Sequence, residues 1–298
     1  MRLKYTALIA LGVFAASFAR AQSPLLPDQT DQVSSHVWAI MGFPNIGIVV
    51  GARATLVIDT GLGARNGATA ARVALRLAPN NKLYLTTTHF HPEHAAGESG
   101  FPAGTVLIRD AVQQSEMDSH GREMIDMFAG RSAEWKELLA DAPLRKPDIE
   151  FKDKYVLDLG GGIVARLLWL GGAHTKGDEL IFVEPDKTLI SGDVVQNKVV
   201  PNIYGDGGTP RSWIDVLNKV GNLGALHVLP DHSNPGDGSL IVSERKFMVE
   251  LSDRALDLKR RGIPVDEAGQ TLSDEFQAKY PDWHIKSVSA FVKSIYAE

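Results

Sequence analysis

Lys82-Leu83-Tyr84-Leu85-Thr86-Thr87-Thr88-His89-Phe90-His91-Pro92-Glu93-His94 is the stretch whose reading decides the fold. Its first half is apolar and β-branched, the composition of a buried strand. Its second half places three imidazoles and a carboxylate within six positions. Imidazole is the commonest protein metal ligand, and a carboxylate balances the charge of a bound cation. Ala95-Ala96-Gly97 suggests a short helix beginning just past these residues. A strand feeding a loop feeding a helix lets ligands converge while the strand stays rigid.

Further strand ends carry similar side chains. Ile163-Val164-Ala165-Arg166-Leu167-Leu168-Trp169-Leu170 reads as a strand and leads to Gly171-Gly172-Ala173-His174. Lys187-Thr188-Leu189-Ile190 leads to Ser191-Gly192-Asp193, and Leu226-His227-Val228-Leu229 leads to Pro230-Asp231-His232-Ser233. One histidine at a strand end is usually structural. Four strand ends in order, each presenting His or acid, form a pattern.

That pattern resembles the metallo-β-lactamase superfamily over roughly residues 33–260, beginning with Val57-Ile58-Asp59-Thr60-Gly61 and continuing through the His-x-His-x-acid-His run. The resemblance implies one metal held by His89, His91 and His174. It implies a second held by Glu93, His94 and His232, with Asp193 bridging and Asp59 ordering the ligand loop from behind. Two departures stand out. The acid of the run is Glu93 where the family usually has Asp, and Pro230 to Ser233 replace the glycines that more often flank the last His. Both fall on the second metal.

Composition narrows the chemistry. The 298 residues, 44% hydrophobic and 22% charged, suit a soluble globular chain with ample core. The net charge of −5 and the lack of a Lys/Arg block speak against a nucleic-acid partner. The chain has no cysteine, which excludes a thiolate ligand or nucleophile. A His and carboxylate set suits Zn²⁺ best, two per chain, although Fe and Mn are also compatible. Arg2 and Lys4, the apolar stretch 7–18 and Ala19-Arg20-Ala21 read as a secretory signal, cleaved before Gln22. The expected location is therefore periplasmic or secreted, with no stable membrane span after cleavage.

The expected architecture is α/β, a four-layer αββα sandwich of the metallo-β-lactamase type, covering 22–298 after a signal at 1–21. Strands are predicted at 36–40, 46–50, 55–58 and 106–108, a hairpin around 160–162, and helices at 64–77 and 212–220. A helical insertion is predicted near 110–147. Its Met117, Met124, Met127 and Phe128 read either as core or as a substrate wall. Apolar residues from Phe276 to Ile295 predict a docked helical C-terminal extension, with room for a homodimer contact. His36 and His227 read as structural, His284 as surface, and His120 as a residue that could reach the site. Tyr204 is a candidate oxyanion donor, and Lys176 and Lys198 are either solvated or placed for a substrate carboxylate.

The implied activity is an exported dinuclear zinc hydrolase. A metal-activated hydroxide oriented by Asp193 would attack a small-molecule cyclic amide or ester, a β-lactam or lactone. The alternatives are hydrolysis of a thioester, sulfate ester or phosphoester, or a periplasmic metal-binding accessory role with little catalysis.

Overall fold

A computed structural model describes residues 23–200, 203 and 208–298. The signal segment and Tyr204 lie outside the described residues. In the first sheet, β1 (Asp31–Ser34), β2 (Val37–Ile40), β3 (Ile46–Val50) and β4 (Ala54–Ile58) run antiparallel in turn. β5 (Lys82–Thr86), β6 (Val106–Asp110) and β7 (Ile149–Phe151) then extend it in parallel. The second sheet is a meander of β8 (Lys154–Gly160), β9 (Ile163–Trp169), β10 (Glu179–Glu184) and β11 (Thr188–Gly192). β12 (His227–Pro230) joins it in parallel and β13 (Gly236–Asp237) closes it.

Alternation along each strand explains the layers, because successive side chains leave opposite faces. On β4, Leu56 and Ile58 enter the core between the sheets, while Val57 faces outward. On β10, Ile181 and Val183 face inward, and Leu180 and Phe182 outward. Strands covered on both faces read as continuous apolar runs, which is why β10, a central strand, carries no alternating signal of its own. The sequence reading passed over it.

Helix α1 (Ala64–Leu77) covers the outer face of the first sheet through Ala70, Val73 and Ala74. It ends where predicted. Pro79 forces Ala78 out of the helical region, and Ala78 adopts φ −146°. The short α2 (Pro92–Ala95) follows β5, and the insertion forms α3 (Ala111–Ala129) and α4 (Ala133–Leu138). On the second sheet's outer face lie α5 (Pro210–Gly221), α6 (Ser239–Arg260), α7 (Val265–Lys279) and α8 (Val288–Ala297). They bury Trp213, Phe247, Phe276 and Phe291 against Phe182 and Leu189. The C-terminal extension is thus a large part of the outer core. Four layers, α–β–β–α, result. None of the helices among the described residues is long and apolar enough to cross a membrane.

α2 corrects the sequence reading. The helix does not begin past the ligand residues but among them, at Pro92, so Glu93 and His94 are helical. Proline at the first helical position needs no N–H there and has its φ already set.

Candidate metal centre

β4, β5, β9, β11 and β12 all point their C-terminal ends toward one rim, since β9 and β11 run parallel to each other through the antiparallel β10. Asp59, His89, His174, Asp193 and His232 follow those ends. The two sheets meet closely here. Gly192 adopts φ +54°, and a Cβ on it would lie 2.8 Å from the Thr88 Cβ, so only glycine permits that approach. The Thr88 carbonyl accepts from the Glu179 N–H at 2.7 Å, a stitch between the sheets.

His89, His91, His94 and His174 are buried, as are Glu93 and Asp193. His89 Nε2 lies 2.9 Å from His91 Nδ1, and His174 Nε2 lies 3.3 Å from the same atom. On the other side His94 Nε2 lies 3.3 Å from His232 Nε2, with Glu93 Oε1 at 3.9 Å. Between the groups stands Asp193, whose Oδ2 is 3.2 Å from His174 Nε2 and whose Oδ1 is 3.3 Å from His232 Nε2. Ligand-type atoms of His89, His91 and His174 form one cluster, and those of Glu93, His94 and His232 another.

The donor set fits metal ions. Two nitrogens bound tetrahedrally to one Zn²⁺ at about 2.0–2.1 Å stand about 3.3 Å apart, close to the spacings found. Glu93 Oε2 and His232 Nδ1 are buried with no hydrogen-bond partner among the described residues. Buried polar atoms of this kind are costly unless something satisfies them. Burial and the neighbouring imidazoles hold His89 and His91 well below their ordinary pKa, and burial and His94 push His232 down to about 3. These rings are neutral, with lone pairs to offer. Burial, reinforced by Asp193 against the opposing charges of His94 and Arg131, raises Glu93 to about 7.

His94 differs. Burial alone would lower it, but Asp59, Asp231 and Glu93 outweigh burial and raise it. Its Nδ1 lies 3.1 Å from Asp59 Oδ2 and 3.3 Å from Asp231 Oδ2, which fixes the ring with Nε2 toward His232. Asp59, at φ +68°, also accepts from the Thr88 N–H at 2.7 Å. The conformation is uncommon for a non-glycine residue, though one that Asp tolerates. Asp59 therefore orders the ligand loop from behind, as the resemblance implies.

Residues that sequence reasoning missed complete the surroundings. Asp231 shares the hold on His94, and its only signal was its place beside His232. Gln196 donates to Asp193 Oδ1 at 3.2 Å and accepts from the His232 N–H at 3.3 Å. Asp178 and Glu116 tie down the loop that bears His174. Asp178 accepts from the Ala173 N–H at 2.9 Å and the Thr175 hydroxyl at 2.7 Å, and Glu116 accepts from Lys176 N–H at 3.0 Å and Gly177 N–H at 2.8 Å. Burial raises the pKa of Asp178 to about 8.

A cavity of about 330 Å³ opens onto His91, Glu93, His174, Asp193 and His232, and Phe43, Val199 and Val200 supply its apolar wall. His284 is exposed, as the sequence reading had it, and also lines this cavity, where backbone bonds to Lys198 and Val200 hold it. His36 Nδ1 lies 2.7 Å from Asp186 Oδ1, and His36 takes no part in the ligand clusters. His120 is on α3 near Glu116 and takes no part in the ligand clusters. Lys198 pairs with Asp282 at 2.5 Å, and Lys176 is exposed. Met117 packs in the core against Phe90 and Ala95, whereas Met127 is exposed.

The chain belongs to the metallo-β-lactamase superfamily, whose sequence model matches residues 40–233. It is 22% identical over 250 residues to a linear primary-alkylsulfatase from Pseudomonas sp., covering 71% of this chain and 46% of that protein. Among solved structures it resembles a stereoselective inverting sec-alkylsulfatase from Pseudomonas sp. (TM-score 0.71, 17% identity, 90% of this chain and 49% of that one). It also resembles a metallo-β-lactamase from Pontibacter korlensis (TM-score 0.60, 19% identity, 74% of this chain and 98% of that one). The chain spans about half the length of the alkylsulfatases it matches. The alkylsulfatases and the metallo-β-lactamase are named for hydrolytic activities, and the site described above offers the donor set of a metal centre.

Proposed function

We propose that the chain is an exported two-metal hydrolase of a small-molecule ester or cyclic amide. His89, His91 and His174 would hold one ion, and Glu93, His94 and His232 the other. Zn²⁺ is the best match to this imidazole-rich, thiolate-free donor set. When bound, the metals would supply a water acidified toward neutrality and a Lewis acid for the substrate oxygen. The observation that carries the reading is Asp193, which offers one carboxylate oxygen to each cluster. That position lets it orient an attacking water lying between the clusters, within the hydrogen-bond reach that general-base work requires. Gln196 keeps the carboxylate from rotating through its N–H to Oδ1. The rim excludes bulk water on the sheet side, because every ligand but His232 is buried there. We also propose Tyr204 as a donor to the developing oxyanion.

A second reading is a sulfate-ester hydrolase. It is supported by the alkylsulfatase relatives and by the apolar wall of Phe43, Val199 and Val200, which suits an alkyl tail. The deciding experiment is a hydrolysis screen of β-lactams, lactones, thioesters, alkyl sulfates and phosphoesters on zinc-loaded protein, with elemental analysis beside it. Two metal equivalents and turnover of one class are expected. Two equivalents with no turnover would point instead to a metal-binding accessory protein, and no bound metal would overturn both readings. Export is tested by N-terminal sequencing of the periplasmic or secreted product, expected to begin near Gln22.

A further inference from the structure

We propose that Arg131, at the turn between α3 and α4, is the residue that selects substrates carrying an anionic group. The inference rests on the hydrolase reading and names the class of molecule that the site would take.

Three aromatic rings form an arc along one side of the metal centre. Phe128 lies 6.1 Å from the His91 ring, Trp135 lies 5.6 Å from Phe128 and 5.6 Å from Phe43, and Phe43 lies 4.7 Å from the His232 ring. The arc thus runs from a ligand of the first cluster to a ligand of the second. The Arg131 guanidinium rests on it, 3.5 Å from the Phe128 centroid and 5.2 Å from that of Trp135. Stacking of this kind holds the planar group in place while leaving its edge N–H donors available.

The position is specific. Arg131 lines the same cavity as His91, Glu93 and Asp193, and its charge is felt at both His91 and Glu93. No carboxylate stands within ion-pair distance of it among the described residues. Other cations among the described residues do have such partners: Lys198 has Asp282, Arg145 has Asp148 and Arg254 has Glu275. A stacked arginine facing a metal centre without a counter-ion is suited to a carboxylate or sulfate oxygen pair, which it can meet with two parallel hydrogen bonds. Lys286 and His284 line the cavity as well, and the carboxylates among its lining residues are the metal-side Glu93 and Asp193. The shared chemistry is a monoanionic oxyanion, either a carboxylate beside the scissile bond or the sulfate of the ester itself.

The test compares zinc-loaded wild type with Arg131→Met and Arg131→Lys. Three chromogenic substrates are used: the neutral p-nitrophenyl butyrate, mono-p-nitrophenyl succinate, and p-nitrophenyl sulfate. Arg131→Met should raise KM about 10–100-fold for whichever anionic substrate is turned over, the range expected for losing a charge-assisted pair. It should leave the neutral ester within about twofold and metal content unchanged, and Arg131→Lys should restore part of the loss. Loss on succinate alone identifies a carboxylate substituent, and loss on sulfate identifies the sulfate ester. Calorimetric titration with succinate and with inorganic sulfate gives a second readout that needs no turnover. If the hydrolase reading fails and nothing is cleaved, binding by wild type and its loss in Arg131→Met still support the anion site. Equal anion binding by wild type and Arg131→Met, or equal loss on neutral and anionic esters, overturns the proposal.

Discussion

Glu93 is where a single atom's position matters most. Its carboxylate belongs to the cluster of His94 and His232, and Oε2 has no protein partner among the described residues. The alternative is that Glu93, a carboxylate in the first turn of α2, serves only the helix N-terminus, and the two roles differ in metal content. Glu93→Gln is expected to release one of two metal equivalents and leave the three-His cluster filled, since an amide is a weaker donor and balances no charge. Elemental analysis after dialysis checks this, and unchanged stoichiometry would show that Glu93 is no ligand. His174→Ala should do the opposite, emptying the first cluster and abolishing turnover. A variant that keeps full metal and normal rates would remove His174 from the site.

At the scale of elements, the insertion is more than a wall. α3 reaches the loop bearing His174 through Glu116, which accepts two of that loop's N–H groups, and the segment leading to His89 through Gln113, which donates to the Thr87 carbonyl at 2.7 Å. Gly177 lies against the Gln113 backbone so closely that a Cβ would come within 2.3 Å of its nitrogen. β6 supports the same helix: fully buried Arg109 is ion-paired with Glu98 and donates to Gln114 at 2.7 Å. Glu116→Ala should leave two loop N–H groups unpaired and weaken metal binding about 10–100-fold, the usual cost of losing a group that orients a ligand. Glu116→Gln keeps one acceptor oxygen and should fall between. Competition with a chelator of known affinity measures both, and wild-type affinity in Glu116→Ala would show that the loop is held without α3.

Over the whole molecule, the rim gathers five imidazoles and at least four carboxylates, all but His232 buried, so metal and stability are linked. Chelation should lower the melting temperature, and added Zn²⁺ should restore it in a concentration-dependent way. A melting temperature indifferent to metal would contradict a site built by folding. Far from the rim, Glu244 on α6 is fully buried with neither carboxylate oxygen paired among the described residues. Burial alone raises its pKa well above the ordinary 4.5. The folded chain keeps this proton while the unfolded chain releases it above 4.5, so the group subtracts stability as pH rises from there toward its folded value. Glu244→Met should therefore stabilise, and by more at pH 8 than at pH 5. Urea midpoints of the two metal-loaded proteins at both pH values check the sign, and an equal gap at each pH would show that Glu244 is not protonated by burial.

Much of this protein was legible one segment at a time. α1 coincides with its apolar spacing and its proline stop, and β3 with its branched run, because local pattern and burial agree there. The ligand residues announced themselves by chemical type, since few other reasons put three histidines and an acid in six positions. The sequence determined the inventory, the order of strands that delivers it and the superfamily. It did not reveal β10 or α6, whose apolar residues are buried in ways that blur any period. Only the tertiary structure decided which atoms face which: the Asp193 oxygen that meets each cluster, the share of Asp231 in the hold on His94, and the placing of Arg131 on an aromatic arc assembled from residues 43, 128 and 135. Such contacts join positions tens of residues apart. They exist only because close packing of two sheets brings strand ends to one rim, a condition that no local propensity encodes.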